Sequence, residues 1–304
     1  MDFYYFRIMF LKTRIVWLFW VSILFLGLHS CKKYGEEVIP NNVPPPDKTI
    51  SEVVMQTYVN KAYISILGRK PTESEFSEGF ALVKQGNLDE ASRLVFLDIV
   101  MTKPEYYPHV YDLARQELLN DLDTGEVTFN KTLFEYLITL PENAAYAQQF
   151  QAEINRLDSM QRIPSLLASN QPFVVAQMHK LCVDNYFYDQ LNMGTFNFVT
   201  SCFEHFLFRA PSDLELFNGS QMVDGFSGTL FFHAGGTKNE FLHIFFSDGD
   251  AYYQGQVREL FQRYLFREPS SEETLQLALQ YRNSGDYKAL QKKILSMNEY
   301  VGLK

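Results

Sequence analysis

"YLFREPSSEE" (264–273) ends one helix and opens the next, and the chain carries two more versions of it, "ILGRKPTESE" (66–75) and "FLFRAPSDLE" (206–215). Ten residues before the arginine stand Val59, Val199 and Val257, and six before it Tyr63, Phe203 and Phe261. Three before it stand Ile66, Phe206 and Tyr264, and two before it Leu67, Leu207 and Leu265. Offsets of three and four place these side chains on one face of a helix. Ser65, His205 and Arg263, four before the arginine, are polar in every copy and are assigned to the outward face or its rim. A residue ahead of proline is pushed out of the helical region, so the helix stops near the arginine. The cation is then expected over the last carbonyls, where the helix dipole favours it. Thr72, Ser212 and Ser270 follow, each three residues before Glu75, Glu215 or Glu273, which is the spacing of a capping box.

Gly86, Gly236 and Gly285 close the second helix of each copy, and Asn87, Thr237 and Asp286 are expected to cap the third. The third helix runs to Thr102, Ser247 and Ser296, with Glu105, Asp250 and Glu299 three residues on and Tyr106, Tyr252 and Tyr300 close behind. The fold predicted is all-α: three related three-helix units with an inserted helical segment, and one short strand pair near 228–233, in "GTLFFH". Thr139 and Glu142 suggest a further capping box ahead of "ENAAYAQQFQAEINRLDSM" (142–160).

These motifs, "LGRKPTESE" closing with "TKPEYY" and "LFREPSSEE" closing with "SMNEY", resemble helical modules of secreted bacterial proteins. They look most like a family of unknown function that accompanies calcium-binding repeats, and more distantly like phycobilisome linker domains. The resemblance covers roughly 51–107 and 195–304 and implies a helical adaptor fold, with no catalytic residue to carry over.

The chain of 304 residues, 46% hydrophobic and 15% aromatic, is long enough for one large core or two smaller ones. Its net charge of −9 argues against a nucleic-acid partner, which needs clustered Lys and Arg. Arg7, Lys12 and Arg14 precede the apolar run "IVWLFWVSILFLGL" (15–28), shorter than the roughly 20 residues of a spanning helix. "LHSC" (28–31) then resembles the lipobox of bacterial lipoproteins, cleaved before Cys31 and lipidated there. An uncleaved anchor helix is the plainer alternative. Both place the body outside the cytoplasm, and the lipobox anchors it to the outer membrane, on its periplasmic face or at the cell surface. Glu36 and Glu37 resemble the acidic signal that sends lipoproteins of Bacteroidota-type bacteria to the surface. Residues 1–30 carry net +2, so the cleaved chain has net charge −11. Pro40, Pro44, Pro45 and Pro46 make the next stretch a tether, able to hold the body tens of Å from a membrane. The organisation is thus 1–30 signal peptide, 31–50 Pro-rich tether, 51–121 first repeat, 122–193 inserted segment, 194–247 second repeat and 248–304 third repeat.

"HKLC" ends at Cys182 and "CFEH" starts at Cys202, a mirror arrangement about residue 192. Folded as a helical hairpin, it opposes Cys182 to Cys202 and His179 to His205. Outside the cytoplasm two remaining cysteines favour a disulfide. Separate buried thiols are the second reading, because Ala62 and Leu260 occupy the position of Cys202 in the other copies. A metal held by His179, Cys182, Cys202 and His205 is the third. No haem, nucleophile-elbow, zinc-protease or phosphate-loop motif occurs, and "SDGDAYY" (247–253) reads as a cap and turn and not as a calcium loop. The second copy carries a surplus, "VDGFSGTLFFHAGG" (223–236), in which Phe226, Phe231, Phe232 and His233 form a candidate binding loop. The plainer reading tucks its apolar side chains into the core.

The function expected is a lipid-anchored, non-catalytic helical scaffold that docks another envelope protein, with no cofactor. The alternatives are a glycan- or small-molecule-binding lipoprotein that uses the insert, and a metal- or haem-dependent enzyme.

Overall fold

The computed structural model describes residues 49–169, 174–248 and 250–303. The expected signal peptide, Cys31 and all but the end of the tether lie outside them. Residues Thr49–Lys304 form one compact unit, and it is all-α apart from one hairpin.

The first copy is α1 (Glu52–Leu67), α2 (Glu73–Gln85) and α3 (Glu90–Met101), followed by α4 (Tyr106–Leu118). The inserted segment holds α5 (Thr124–Ile138), a 3₁₀ turn (Pro141–Tyr146), α6 (Ala147–Gln161), α7 (Ile163–Ala168), α8 (Val175–Val183) and α9 (Tyr186–Leu191). The second copy is α10 (Thr195–Leu207), α11 (Asp213–Val223), strands β1 (Gly228–Leu230) and β2 (His233–Gly235), α12 (Lys238–His243) and a π turn (Ile244–Asp248). The third is α13 (Asp250–Leu265), α14 (Ser271–Ser284), α15 (Tyr287–Leu295) and α16 (Asn298–Val301).

All three capping boxes form. Thr72, Ser212 and Ser270 each accept from the amide three residues on, and Glu75, Glu215 and Glu273 each return to the cap amide. The repeated apolar positions are buried as the spacing predicts, from Val59, Val199 and Val257 to Tyr63, Phe203 and Phe261, with Leu265 alone half-buried. Gly285 closes α14 in the left-handed conformation, and Asp286 caps α15.

Other local expectations are corrected. Asp89, not Asn87, caps α3. Gly236 follows the hairpin and ends no helix, because α11 already stops at Val223. Ser247 sits inside the π turn, and α13 starts only at Asp250. Thr139 and Glu142 form no capping box. Proline restricts the residue before it, so Leu140 turns extended ahead of Pro141 and becomes the cap position. Thr139 keeps a helical backbone as the C-cap of α5 and donates to the Tyr136 carbonyl at 2.6 Å.

The copies do not stack in sequence order. The first and third meet directly: Lys61 Nζ donates to the Tyr300 carbonyl at 2.9 Å, Arg93 to Asn298 at 2.8 Å and Lys288 to the Met101 carbonyl at 3.0 Å. Buried Gln291 bridges them, accepting from Tyr106 at 2.9 Å and donating to Tyr264 at 2.7 Å. The second copy packs α10 on α13. That crossing is tight enough to require Gly255, whose Cβ would lie 1.7 Å from the Phe206 carbonyl oxygen. The polar row Ser65, His205 and Arg263 lies at the rim of these packed faces, half-buried. Ser65 accepts from Tyr300 at 2.8 Å, His205 shares a hydrogen bond with Tyr188 at 3.0 Å, and Arg263 pairs with Glu117 at 2.9 Å.

Candidate functional site

Chemistry-bearing side chains come together at the helix corners, in a buried polar pocket and in the insert of the second copy.

At each corner the arginine runs forward and does not cover the carbonyls behind it. Its two terminal nitrogens fork the carboxylate six residues on: Arg69 holds Glu75 at 2.8 and 3.0 Å, Arg209 holds Glu215 at 2.8 and 2.7 Å, and Arg267 holds Glu273 at 2.9 and 2.8 Å. Each guanidinium also lies over an aromatic ring six residues back: Tyr63, Phe203 and Phe261. The arginine forks hold Glu215 and Glu273 down at about 2. The spacing Arg-x-Pro-Ser/Thr-x-x-Glu thus encodes a bidentate ion pair over an aromatic platform, which local capping logic alone did not reveal.

The pocket lies where the copies meet, between His109, Glu117, His179, His205, Glu259 and Arg263. It encloses about 20 Å³, room for roughly one water and no substrate. Arg263 bonds Glu117 at 2.9 Å and Glu259 at 2.8 Å. Burial pushes the Glu259 carboxyl up against the pull of Arg263, and pushes His179 down to about 3, so its imidazole is neutral.

The expected helical hairpin about residue 192 does not form, because α9 stands between the two arms. His179 and His205 do reach the same pocket. The cysteines do not join them. Cys182 and Cys202 are both buried free thiols, a correction to the disulfide reading. Burial pushes both up to about 12, leaving them un-ionised. Cys202 accepts a weak bond from Tyr188 at 3.9 Å, and His179 shares one with Tyr252 at 2.8 Å. The four side chains are engaged with tyrosines and core and are not gathered as ligands, and among the described residues no cluster of three or more His, Cys, Asp or Glu is disposed to hold a metal.

The insert is divided. β1 and β2 pair antiparallel with Leu230 opposite His233, and Phe231 and Phe232 form the two-residue turn. Leu230 is buried, and Phe231 packs on Phe203 and Phe245 at 6.0 Å. Phe226 is 60% exposed and Phe232 fully exposed, and His233 is exposed at the start of β2. Both turn residues have positive φ, 51° and 70°, the pattern that hairpins normally give to Asn-Gly. Thr195 donates to Asp224 at 2.6 Å, tying the end of α11 to the start of α10. Exposed Met193 and Phe196 stand beside that tie, as does Phe226 two residues past Asp224.

A separate cleft of about 410 Å³ lies between α4 and the inserted segment, with Tyr111, Asp112, Arg115, Asp123 and Met160 in its wall. Sequence patterns gave no sign of it, since its wall comes from five separate elements and turns. No helix among the described residues is long and apolar enough to cross a membrane. No family model, curated protein or solved structure matches the chain.

Proposed function

We propose that the protein is a lipid-anchored, non-catalytic helical scaffold of the bacterial cell envelope, fixed to the outer membrane through Cys31, that docks another envelope protein. The observation that carries the docking is the insert of the second copy. Leu230 and Phe231 root it in the core, while Phe226 and Phe232 stand in solvent where the other two copies have no counterpart. Exposed aromatics on a rooted hairpin supply contact area at low entropic cost, which is what binding hot spots use. The corners and the buried pocket are accounted for as structure, by ion pairs, caps and tyrosine contacts.

The test joins anchor and surface. Tagged protein is recovered from native membranes as the unaltered chain, as Cys31→Ala and as Phe226→Ser with Phe232→Ser. Expected are loss of membrane fractionation for Cys31→Ala, and loss of one co-purifying envelope protein for the double variant at unchanged Tm. Unchanged fractionation and processing of Cys31→Ala refutes the anchor. Unchanged recovery of partners by the double variant refutes docking at the insert. The second reading, a glycan- or small-molecule-binding lipoprotein, is favoured by the 410 Å³ cleft, which is in the usual size range of ligand pockets.

A further inference from the structure

The three corners are the same device, yet they are not equally filled. In the first, a second carboxylate closes the free edge of the guanidinium: Glu105 accepts from Arg69 Nε at 3.1 Å and from Nη2 at 2.8 Å. In the third, Glu299 does the same for Arg267, at 2.7 and 2.8 Å. Both acids come from the chain just past the third helix of the copy, and a tyrosine follows each, Tyr106 and Tyr300. The second copy departs from this. Its third helix runs on into the π turn, and Asp250, the acid at the matching place, pairs with Arg282. Among the described residues Arg209 has one carboxylate, Glu215, and the Ala210 carbonyl at 3.1 Å, its Nε edge carries no hydrogen bond, and its side chain is 43% exposed against 33% for Arg69 and Arg267.

The guanidinium and the insert share one ring. Arg209 sits 5.0 Å over the ring of Phe203, and Phe231 packs against that same ring at 6.0 Å. The next residue is Phe232, fully exposed and held at φ 70°. A bulky side chain in that conformation is strained and persists only where surrounding structure fixes it.

We propose that the Nε edge of Arg209, together with Phe232, takes an acidic peptide segment of the partner protein: a Glu or Asp carboxylate adjoining an aromatic side chain. The segment completes in trans the corner that Glu105 and Glu299 complete in cis. The charge of the occupant is given by the chain itself, since each filled corner holds a second glutamate, and its aromatic side chain by the exposed ring of Phe232. A guanidinium fork prefers a carboxylate presented edge-on, and an aromatic neighbour adds a desolvated contact. The inference rests on the docking function proposed above and names the chemistry of the docked segment.

The probe is a fluorescein-labelled peptide of residues 292–303, "KKILSMNEYVGL", which carries the Glu299–Tyr300 pair. In the detergent-solubilised full-length protein, the place this peptide occupies at Arg267 is already filled. Fluorescence anisotropy is expected to show saturable binding, weakened at least about tenfold when the peptide glutamate is replaced by glutamine. Arg209→Lys keeps the charge and removes the fork, and is expected to weaken binding similarly. Phe232→Gly serves as the variant that does not threaten the fold: it relieves the positive φ, so Tm holds or rises while binding falls. No saturable signal at millimolar protein overturns the proposal, as does equal binding of both peptides, or binding indifferent to Arg209→Lys and Phe232→Gly. Concentration-dependent dimerisation lost with Arg209→Lys overturns the choice of a partner protein over a second copy. If the peptide fails while the insert still governs recovery of an envelope protein, this site is wrong and docking stands. If both fail, docking itself falls.

Discussion

Phe266 stands where the first copy has Gly68. Both end a helix in the left-handed conformation, at φ 56° and 71°, and Phe208 does the same at 56° in the second copy. Glycine takes this position freely, whereas a residue with a Cβ clashes with the following carbonyl. Phe266 is 81% exposed, so its ring returns little packing for the strain. Phe266→Gly is therefore expected to stabilise by about 0.5–1 kcal/mol, after the greater chain entropy of glycine in the unfolded state is set against the relief. In a unit of this size that is a rise in Tm of roughly 1–4 °C by calorimetry. An unchanged or lower Tm would mean that the ring makes a contact which its exposure hides. At this scale the sequence was only partly legible. The αL positions of Phe208, Phe266, Phe231 and Phe232 leave no mark, because phenylalanine is not a residue that announces positive φ. The burial of Val59, Val199 and Val257 was legible, because an apolar side chain at helical spacing has few other places to go.

The corner element was legible wherever its bonds are local. A hydroxyl and a glutamate three residues apart can meet only one way at a helix start, and all three boxes form. The arginine fork was misread because its partner lies six residues away across a turn, a distance at which sequence spacing does not fix direction. The fork carries a pH dependence with a definite sign. Arg267 holds Glu273 at about 2, below the ordinary carboxylate value of about 4.3. A carboxyl depressed on folding contributes stability that is fully present above its unfolded pKa and lost as pH falls through the folded one. Glu273→Gln should thus lower Tm at pH 6. The gap to the unaltered chain should close between about pH 4.5 and pH 2, where the glutamate itself becomes neutral. A gap that stays constant down to pH 2 would show that folding does not depress the Glu273 carboxyl. The size of the gap will be modest, since about a third of both side chains remains exposed to screening solvent.

At the scale of the whole molecule, three copies of one unit predict a row in which each copy touches only its neighbours and can open alone. The structure closes that row. α3 meets α15, Gln291 links Tyr106 to Tyr264, and α13 lies against both α10 and the first copy's Ser65, so first, second and third copies share one core. The sequence could not show this, because the contacts join residues up to 239 positions apart that carry no pattern of their own. The two thiols report on the difference. Cys182 belongs to the inserted segment and Cys202 to the second copy; both are wholly buried, unbridged and pushed up to about 12. A thiol in that state reacts only when its surroundings open. In the reduced native protein neither should react with an aromatic disulfide reagent on the timescale of a model thiol, and both should become fully reactive in denaturant. Mass spectrometry of slow native labelling should find the two modified with the same opening free energy, because one shared core opens once. A Cys202 that labels far faster than Cys182 would mean that the second copy opens by itself, and that the row remains a row despite its closure. Failure of either cysteine to label after denaturation without reductant would instead restore the disulfide.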